Sequence, residues 1–374
     1  MGDPLIRLIV EEIQSRPKKT IPFRRFMELA LYHPRWGYYR RRKTKIGRKG
    51  DFYTSPAVGE AFGWTLARAV GRMARTFPSE TPWLLAEAGA GDGSLAARIV
   101  QALAEEGRLP RVLYLVETSP YHRELQQNKL VDSPVPVRWT EEVRDLPMEH
   151  PSILLSNELL DAFPVHRVIA HQGELREIYV TWDAGCGELA ETSGPLSRPE
   201  LADYFREQKW NLPDGWIAEV PLDALEWVET AGRRLKAGYL LTIDYGGTTE
   251  ELALPRHKDG TLRCFHRHRL HRDFYTEPGR SDMTSHVHFS ALMARGRRVG
   301  LQTLLYTTQS RYLQGAGILS RLTPPVSSDP FAPEAKRNRA IRHLALPGGM
   351  GDDFRVLVQC KGVPHPVNGM KDGT

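Results

Sequence analysis

The sequence predicts an α/β fold in which a mostly parallel sheet carries helices on both faces. Three observations predict it. From Trp83 onward, short apolar runs alternate with segments of helical periodicity. Four of these runs end in polar residues: Glu87, Glu117, Asn157-Glu158 and Asp244. A glycine loop, Ala88-Gly89-Ala90-Gly91-Asp92-Gly93-Ser94, follows the first run and opens a helix. Continuous apolar runs between helices are the pattern of strands buried on both faces. In open sheets of this kind, ligands lie beyond the C-terminal ends of the strands, which is where the polar residues fall.

Element by element, Pro4–Arg16 alternates apolar and polar residues at helical spacing. A second helix is expected over Phe23–Tyr32, with Thr20 able to cap it and Pro22 tolerated in its first turn. A loop rich in Gly and Arg runs to Pro56, and Ala61–Phe77 carries a helical stripe of Phe62, Leu66, Ala69, Val70 and Met73. Strands over Trp83–Ala86 and Arg111–Val116 precede helices over Ser94–Glu106 and Pro120–Leu130. Val135–Trp139 is a short strand that its proline pushes toward an edge. Ser152–Ser156 and Tyr239–Ile243 are buried strands, and Glu219–Leu235 is helical in pattern. Thr181–Gly215, rich in Gly, Glu and Pro, reads as an insertion. Thr248–His286 is too long for a passive connection and is expected as a lid or cap. Helices over Ser290–Arg298 and Pro333–Leu344 and strands over Leu301–Thr308 and Phe354–Lys361 close the pattern. The expected organisation is an N-terminal helical region with a cofactor-capping loop (1–80), the sheet domain with insertions near 181–215 and 248–286 (81–362), and a disordered tail (363–374).

The 374 residues are 41% hydrophobic and 26% charged, ordinary for a globular chain. Three widely spaced cysteines exclude a disulfide scaffold and a four-cysteine zinc module. No stretch reaches the roughly 20 apolar residues that span a bilayer, and the N-terminus lacks a secretory pattern. Cytoplasm is therefore the expected compartment, without membrane attachment. Net charge is +6, concentrated in two places. Leu29–Gly50 holds eight Lys/Arg and no acid, and Arg256–Arg298 holds six of the 13 histidines. Such clusters can mark nucleic-acid binding. No RNA-binding module accompanies them, so a nucleic-acid partner is disfavoured against a solvated surface or a grip on an acidic partner.

The glycine loop fits neither of two phosphate-binding patterns. A dinucleotide fingerprint needs its third glycine at position 94, which is Ser94; the glycine comes one residue early, at Gly93. A P-loop is excluded because no Gly-Lys-Ser/Thr follows. Glu87 would repel a pyrophosphate but suits a cationic or hydrogen-bond-donating ligand. Glu117 ends the next strand, where a carboxylate can take both hydroxyls of a ribose. An acid, a G-x-G loop and a ribose-binding acid together point to S-adenosylmethionine as cofactor.

Six landmarks in order carry a resemblance: Gly50–Pro56 (GDFYTSP), Glu87–Gly93 (EAGAGDG), Asn157–His166 (NELLDAFPVH), Ile243–Gly246 (IDYG), Pro278–Val287 (PGRSDMTSHV) and Gly349–Gly351 (GMG). On these the chain resembles the MidA-like methyltransferases. The resemblance covers about Leu31 to Cys360. It implies a class I methyltransferase Rossmann-like sheet with an N-terminal helical region and inserted cap segments. It also implies protein arginine methylation, the activity by which mitochondrial members assist respiratory complex I assembly. Ala57 stands where the family pattern tends to have glutamate.

Expected cofactor contacts are Asp51, Phe52, Thr54 and Ser55, as a cap over the cofactor, with Glu87 and Gly89 at the methionine end, Gly91 against the backbone, Glu117 on the ribose, and Asn157. Asn157, Glu158 and Asp161 are the catalytic candidates. A guanidinium, with a pKa above about 12, must be oriented rather than simply deprotonated, and carboxylates can fork it. The alternative is structural: Asp161 capping a turn, with Glu158 part of the fold. Glu219, Asp244 and Tyr245 are further candidates, and His286 and His288 face a channel or brace the lid. Cys264, His266, His268 and His271 lack acidic company, so no metal is expected. Four functions compete: methylation of a protein, of a small metabolite, or of nucleic acid, and an assembly factor without turnover. The nucleic-acid reading lacks an Asn-Pro-Pro-aromatic loop. No oligomeric state follows from the sequence; a dimer is compatible with it.

Overall fold

The structure, a computed structural model, describes residues 3–41, 56–266, 269–324, 329–346 and 348–370. The chain divides into two compact units. One comprises 1–53, 160–226 and 246–292, the other 54–159, 227–245 and 293–374.

The second unit holds the sheet. Its strands are β1 (Leu84–Ala88), β2 (Val112–Val116), β3 (Val137–Thr140), β4 (Ser152–Asn157), β5 (Gly238–Gly247), β6 (Gln302–Thr308) and β7 (Phe354–Lys361), in the order β6-β7-β5-β4-β1-β2-β3. The run β5-β4-β1-β2-β3 is parallel, and β7 is antiparallel to both neighbours. The central strands β1 and β2 are buried along their whole length, as their uninterrupted apolar runs require. Strand β3 is the edge, where Pro136 precedes it and costs no ladder hydrogen bond. Leu66, Val70 and Met73 of the helix Pro56–Ala74 pack with Ile99 and Leu103 of the helix Ser94–Glu105 and with Leu113, Leu155 and Leu241 of the sheet. Leu155 is fully buried at the centre of this cluster. Leu155→Ala is expected to lower stability by about 2–5 kcal/mol through lost burial and an unfilled cavity, read by denaturant unfolding.

Residues 363–370 differ from the expected disordered tail. Val363, Val367 and Met370 pack on the core, and the Val367 N–H donates to the Tyr239 hydroxyl at 3.2 Å. Apolar residues every three to four positions find open core surface there; 371–374 lie outside the described residues.

The first unit has its own core. Leu5, Ile9 and Ile13 of the helix Pro4–Ser15 meet Phe23, Phe26 and Met27 of the helix Phe23–Tyr32, with Val165 and Val180. Spacing of four residues puts the three N-terminal side chains on one helix face. An antiparallel sheet joins Thr20–Pro22, His166–His171, Glu174–Asp183, Glu188–Gly194 and Ile217–Val220. Two expectations are corrected here. Thr20 does not cap the second helix; it begins a short strand paired to Tyr179–Thr181. Thr181–Gly215, read as an insertion, contains the strand Glu188–Gly194 and the helix Glu200–Glu207. The turn at Asp183 is held by its carboxylate, which accepts from the N–H groups of Gly185 and Cys186. That strand is mostly exposed, so its sequence shows no apolar run. Glu219 lies on the strand Ile217–Val220, and the helix starts later, at Leu222.

Thr248–His286 is ordered in large part. It contains a three-stranded sheet of Arg263–His266, Arg269–His271 and Asp282–Thr284, and it buries Cys264, Phe274 and Met283 in the unit's core. Burial also raises the Cys264 thiol well above its ordinary pKa. His268 lies outside the described residues, and no group of three metal-ligating side chains occurs among the described residues. Among them, no helix is long and apolar enough to cross a membrane.

Candidate functional site

Strands β4, β1 and β2 lie side by side, with Ser156 and Val116 flanking Ala88. The chain order reverses between β4 and β1, the position where open α/β sheets bind ligands. Glu87 and the glycine loop end β1, Glu117 follows β2, and Asn157 ends β4, so these residues share the C-terminal edge of the sheet.

The loop after β1 needs its glycines. Gly89, Gly91 and Gly93 all adopt left-handed backbone, at φ +71°, +54° and +81°. A Cβ on Gly89 would sit 2.8 Å from Leu159 Cδ1, and one on Gly93 would sit 3.2 Å from Gln126 Cα. Gly93 is thus placed by packing against the neighbouring helix, which explains the departure from the dinucleotide spacing. Asp92 accepts from the Ser94 N–H at 3.0 Å and from its hydroxyl at 2.8 Å, fixing the helix start.

Glu87 is buried, and its Oε2 has no hydrogen-bond partner. Burial pushes its carboxyl pKa up to about 8; the Asp92 charge adds to the rise, and the Ala96 N–H opposes it. An unbonded, desolvated carboxylate oxygen beside a glycine loop suits a ligand that brings a positive charge or N–H donors.

Glu117 is also buried. Its Oε1 accepts from the Ser119 N–H at 2.7 Å, and its Oε2 lies 3.4 Å from the Gln126 amide nitrogen and 3.5 Å from His122 Nδ1. These contacts aim the carboxylate and leave acceptor capacity on both oxygens. Gln126 was missed in the sequence. It is fully buried, its amide nitrogen donates to the Gly91 carbonyl at 2.9 Å, and its amide oxygen accepts from Trp139 Nε1 at 2.9 Å. It therefore ties the glycine loop, Glu117 and β3 together. It is also the buried residue of an otherwise polar helix, Pro120–Lys129.

On the β4 side, Asn157 donates to Glu158 Oε1 at 3.3 Å. Glu158 is exposed and holds left-handed backbone at φ +50°, unusual for a residue with a side chain. Asp244, wholly buried within β5, anchors the turn by accepting from the Leu159 N–H at 3.2 Å and from the Tyr245 N–H at 3.0 Å. Asp161 belongs to the other unit. It is buried, its carbonyl accepts from the Ser285 N–H at 2.9 Å, and its charge helps raise the pKa of the Tyr39 phenol. Glu158 and Asp161 thus differ in kind, one exposed and one buried. His288 is buried with its ring between the Tyr204 and Thr249 hydroxyls, and burial lowers its pKa to about 3, a bracing position. Asp51, Phe52, Thr54 and Ser55 lie outside the described residues.

Residues 65–307 match the sequence profile of a family described as "Putative S-adenosyl-L-methionine-dependent methyltransferase". The chain belongs to this family. The MidA-like resemblance read from its landmarks holds, and the protein is an S-adenosylmethionine-dependent methyltransferase. It is 29% identical over 395 residues to the mitochondrial protein arginine methyltransferase NDUFAF7 of Rattus norvegicus, covering 97% of this chain and 85% of that protein. It is 28% identical over 354 residues to the Homo sapiens protein of the same name, covering 85% and 74%. A Burkholderia thailandensis protein crystallised with S-adenosyl-homocysteine superimposes with a TM-score of 0.86 at 30% identity, covering 100% of this chain and 98% of that one.

The methyltransferase's own residues fit the cofactor. The unbonded Glu87 oxygen suits an ammonium group, the left-handed glycines admit close backbone approach, and Glu117 presents acceptors for ribose hydroxyls. When bound, the cofactor supplies an electrophilic methyl group on a sulfonium. Glu87 also has a signature without ligand. Its folded pKa of about 8 lies above the ordinary 4.5, so the folded state holds the proton more tightly. That stabilisation is complete below about pH 4.5 and is lost as pH rises through about 8. The cofactor-free protein is therefore expected to lose melting temperature across this window relative to Glu87→Gln. Parallel curves for the two proteins would contradict the assignment.

Proposed function

We propose that the methyltransferase acts on an arginine side chain of a protein. The observation that carries this reading is Glu158: an exposed carboxylate at the C-terminal end of β4, one strand from the glycine loop, in a backbone conformation that costs about 1–3 kcal/mol. Strain of that kind persists where the surrounding structure enforces it, here through the Asp244 contact to Leu159 N–H. Similarity to two proteins named as arginine methyltransferases, over most of both lengths, supports the same acceptor.

Methyl transfer is an in-line displacement, so the enzyme contributes chiefly position. A carboxylate at Glu158 pairs with the guanidinium and turns one nitrogen toward the methyl group. The nitrogen lone pair would form the new N–C bond as the methyl–sulfur bond of the cofactor broke and its electron pair returned to sulfur, leaving the neutral thioether S-adenosyl-homocysteine, while the proton displaced from that nitrogen would leave to the carboxylate or to solvent. Asn157 orients Glu158 and stands at the border of the cofactor position. Asp161, buried with its carbonyl bound by Ser285, is read as bracing the loop rather than as a second prong of the fork.

The test is to incubate cell extract with the purified protein and methyl-labelled S-adenosylmethionine. Label is expected in protein. Label confined to a small metabolite or to nucleic acid would overturn the reading, as would binding of the cofactor with no transfer.

A further inference from the structure

The helix Pro333–Ala345 of the second unit carries a face that methyl transfer does not use. Its Ala340, Ile341, Leu344 and Ala345 are buried, the last three in the unit's core. Lys336, Arg339, Arg342 and His343 are all exposed. Steps of three or four residues align them along one side of the helix, away from the buried side. Glu334, the acid of this helix, stands seven residues before Ile341 and so falls on the buried side. Among the described residues, no carboxylate pairs with Lys336, Arg339 or Arg342. Arg339 instead donates through Nη1 to the Pro330 carbonyl, which holds the preceding segment beside the stripe.

Apolar side chains stand at both ends of these cations. Phe331, two residues before the helix, is 72% exposed, and no other phenylalanine among the described residues is exposed. Its N–H donates to Asp329 Oδ1 at 2.8 Å, so this segment is fixed from a second side. Leu346, four residues after Arg342, ends the stripe and is 45% exposed. The helix between the two apolar residues is about 20 Å long. The helix dipole accounts for part of the charge: it favours Arg342 and His343 in the last turn and opposes Lys336 near the N-terminus. Protein interfaces gather apolar residues at the centre inside a polar rim, and here that order is inverted. Nucleic acid would pair the cations with phosphates but leave Phe331 and Leu346 in water. A bilayer surface with anionic headgroups meets both, phosphates against the cations and acyl chains against the apolar ends. Such contact needs no apolar span, the feature whose absence set membrane attachment aside in the sequence.

We propose that this face docks on an anionic membrane surface, the helix lying in the plane of the headgroups with Phe331 and Leu346 entering the acyl boundary. The contact is independent of the methyl acceptor. Full-length protein is sedimented with vesicles of phosphatidylcholine alone and of phosphatidylcholine with an equal part of phosphatidylglycerol, at low and at high salt. Co-sedimentation is expected with the anionic vesicles at low salt, and it should fall steeply at high salt. The double variant Lys336→Gln, Arg342→Gln should bind roughly thirtyfold more weakly, at about fivefold per cation near an anionic surface. Phe331→Ser should also weaken binding but leave its salt dependence unchanged, since it removes insertion and no charge. Both variants should keep wild-type affinity for S-adenosyl-homocysteine, which shows that they are folded. Hydrogen exchange on the wild type supplies a reading that needs no variant: anionic vesicles should protect amides between 329 and 346. No binding to anionic vesicles, equal binding to phosphatidylcholine alone, equal binding by either variant, or protection confined to other segments would each overturn the proposal. Binding of an RNA oligonucleotide or an acidic peptide through the same cations, with none to vesicles, would overturn it as well.

Discussion

Glu158→Gln is expected to lower turnover on the protein acceptor by roughly ten- to a thousand-fold, at about 1.4 kcal/mol per factor of ten, and to leave S-adenosyl-homocysteine affinity unchanged. The variant keeps the shape and the Asn157 contact but loses the charge that the proposed function assigns to pairing with a guanidinium. Glu158 is exposed by its accessible surface, but neighbouring atoms desolvate its carboxyl and raise its pKa against the Asn157 hydrogen bond, so the variant's melting temperature is measured beside its turnover. A loss in kcat/KM carried mainly by kcat would mark a contact made at the transition state rather than in binding. A metabolite acceptor with a hydroxyl group would need a base, and its pH–rate profile would then show a group titrating near neutrality. Full activity of Glu158→Gln on the true acceptor would remove the arginine fork and leave the cofactor site intact.

Glu117→Ala is expected to act on the other substrate. Removing this carboxylate should weaken S-adenosyl-homocysteine binding by roughly 1–3 kcal/mol, the range for losing hydrogen bonds to a charged group. Part of that cost is internal. The Ser119 N–H and the Gln126 amide lose their acceptor, so the loop after β2 and the glycine loop loosen together. Gln126→Leu separates the two effects. It leaves Glu117 in place and removes its tie to Gly91, so it should cost less affinity than Glu117→Ala. Calorimetry on the three proteins decides the order, and equal affinity of wild type and Glu117→Ala would contradict the ribose assignment.

The parts legible in the sequence were those fixed by local chemistry. An acid, glycines at φ-demanding positions and a second acid occupy adjacent strand ends, and each follows from what a short apolar run does when it reaches the sheet's edge. Gln126 was not legible, because a glutamine on a polar helix looks the same in sequence whether it faces solvent or the glycine loop. The strand Glu188–Gly194 was hidden for a related reason: its exposed side chains erase the apolar signal, and pairing with Glu177–Asp183 alone defines it. Thr20 read as a cap because a threonine before a helix usually is one; tertiary pairing to the other strand took it instead. Glu219 was noticed as a carboxylate, but its hydrogen bonds from the Thr261 N–H and hydroxyl exist only once distant segments are folded together.

The central claim is that this S-adenosylmethionine-dependent methyltransferase modifies protein arginine. The most direct measurement is tandem mass spectrometry of proteins labelled in extract by the wild-type enzyme and isotopic cofactor, with the modified atom located. Label on a guanidino nitrogen of arginine, absent with Glu158→Gln, is the predicted result. Label on a lysine nitrogen, on a carboxyl oxygen or outside protein altogether would contradict it.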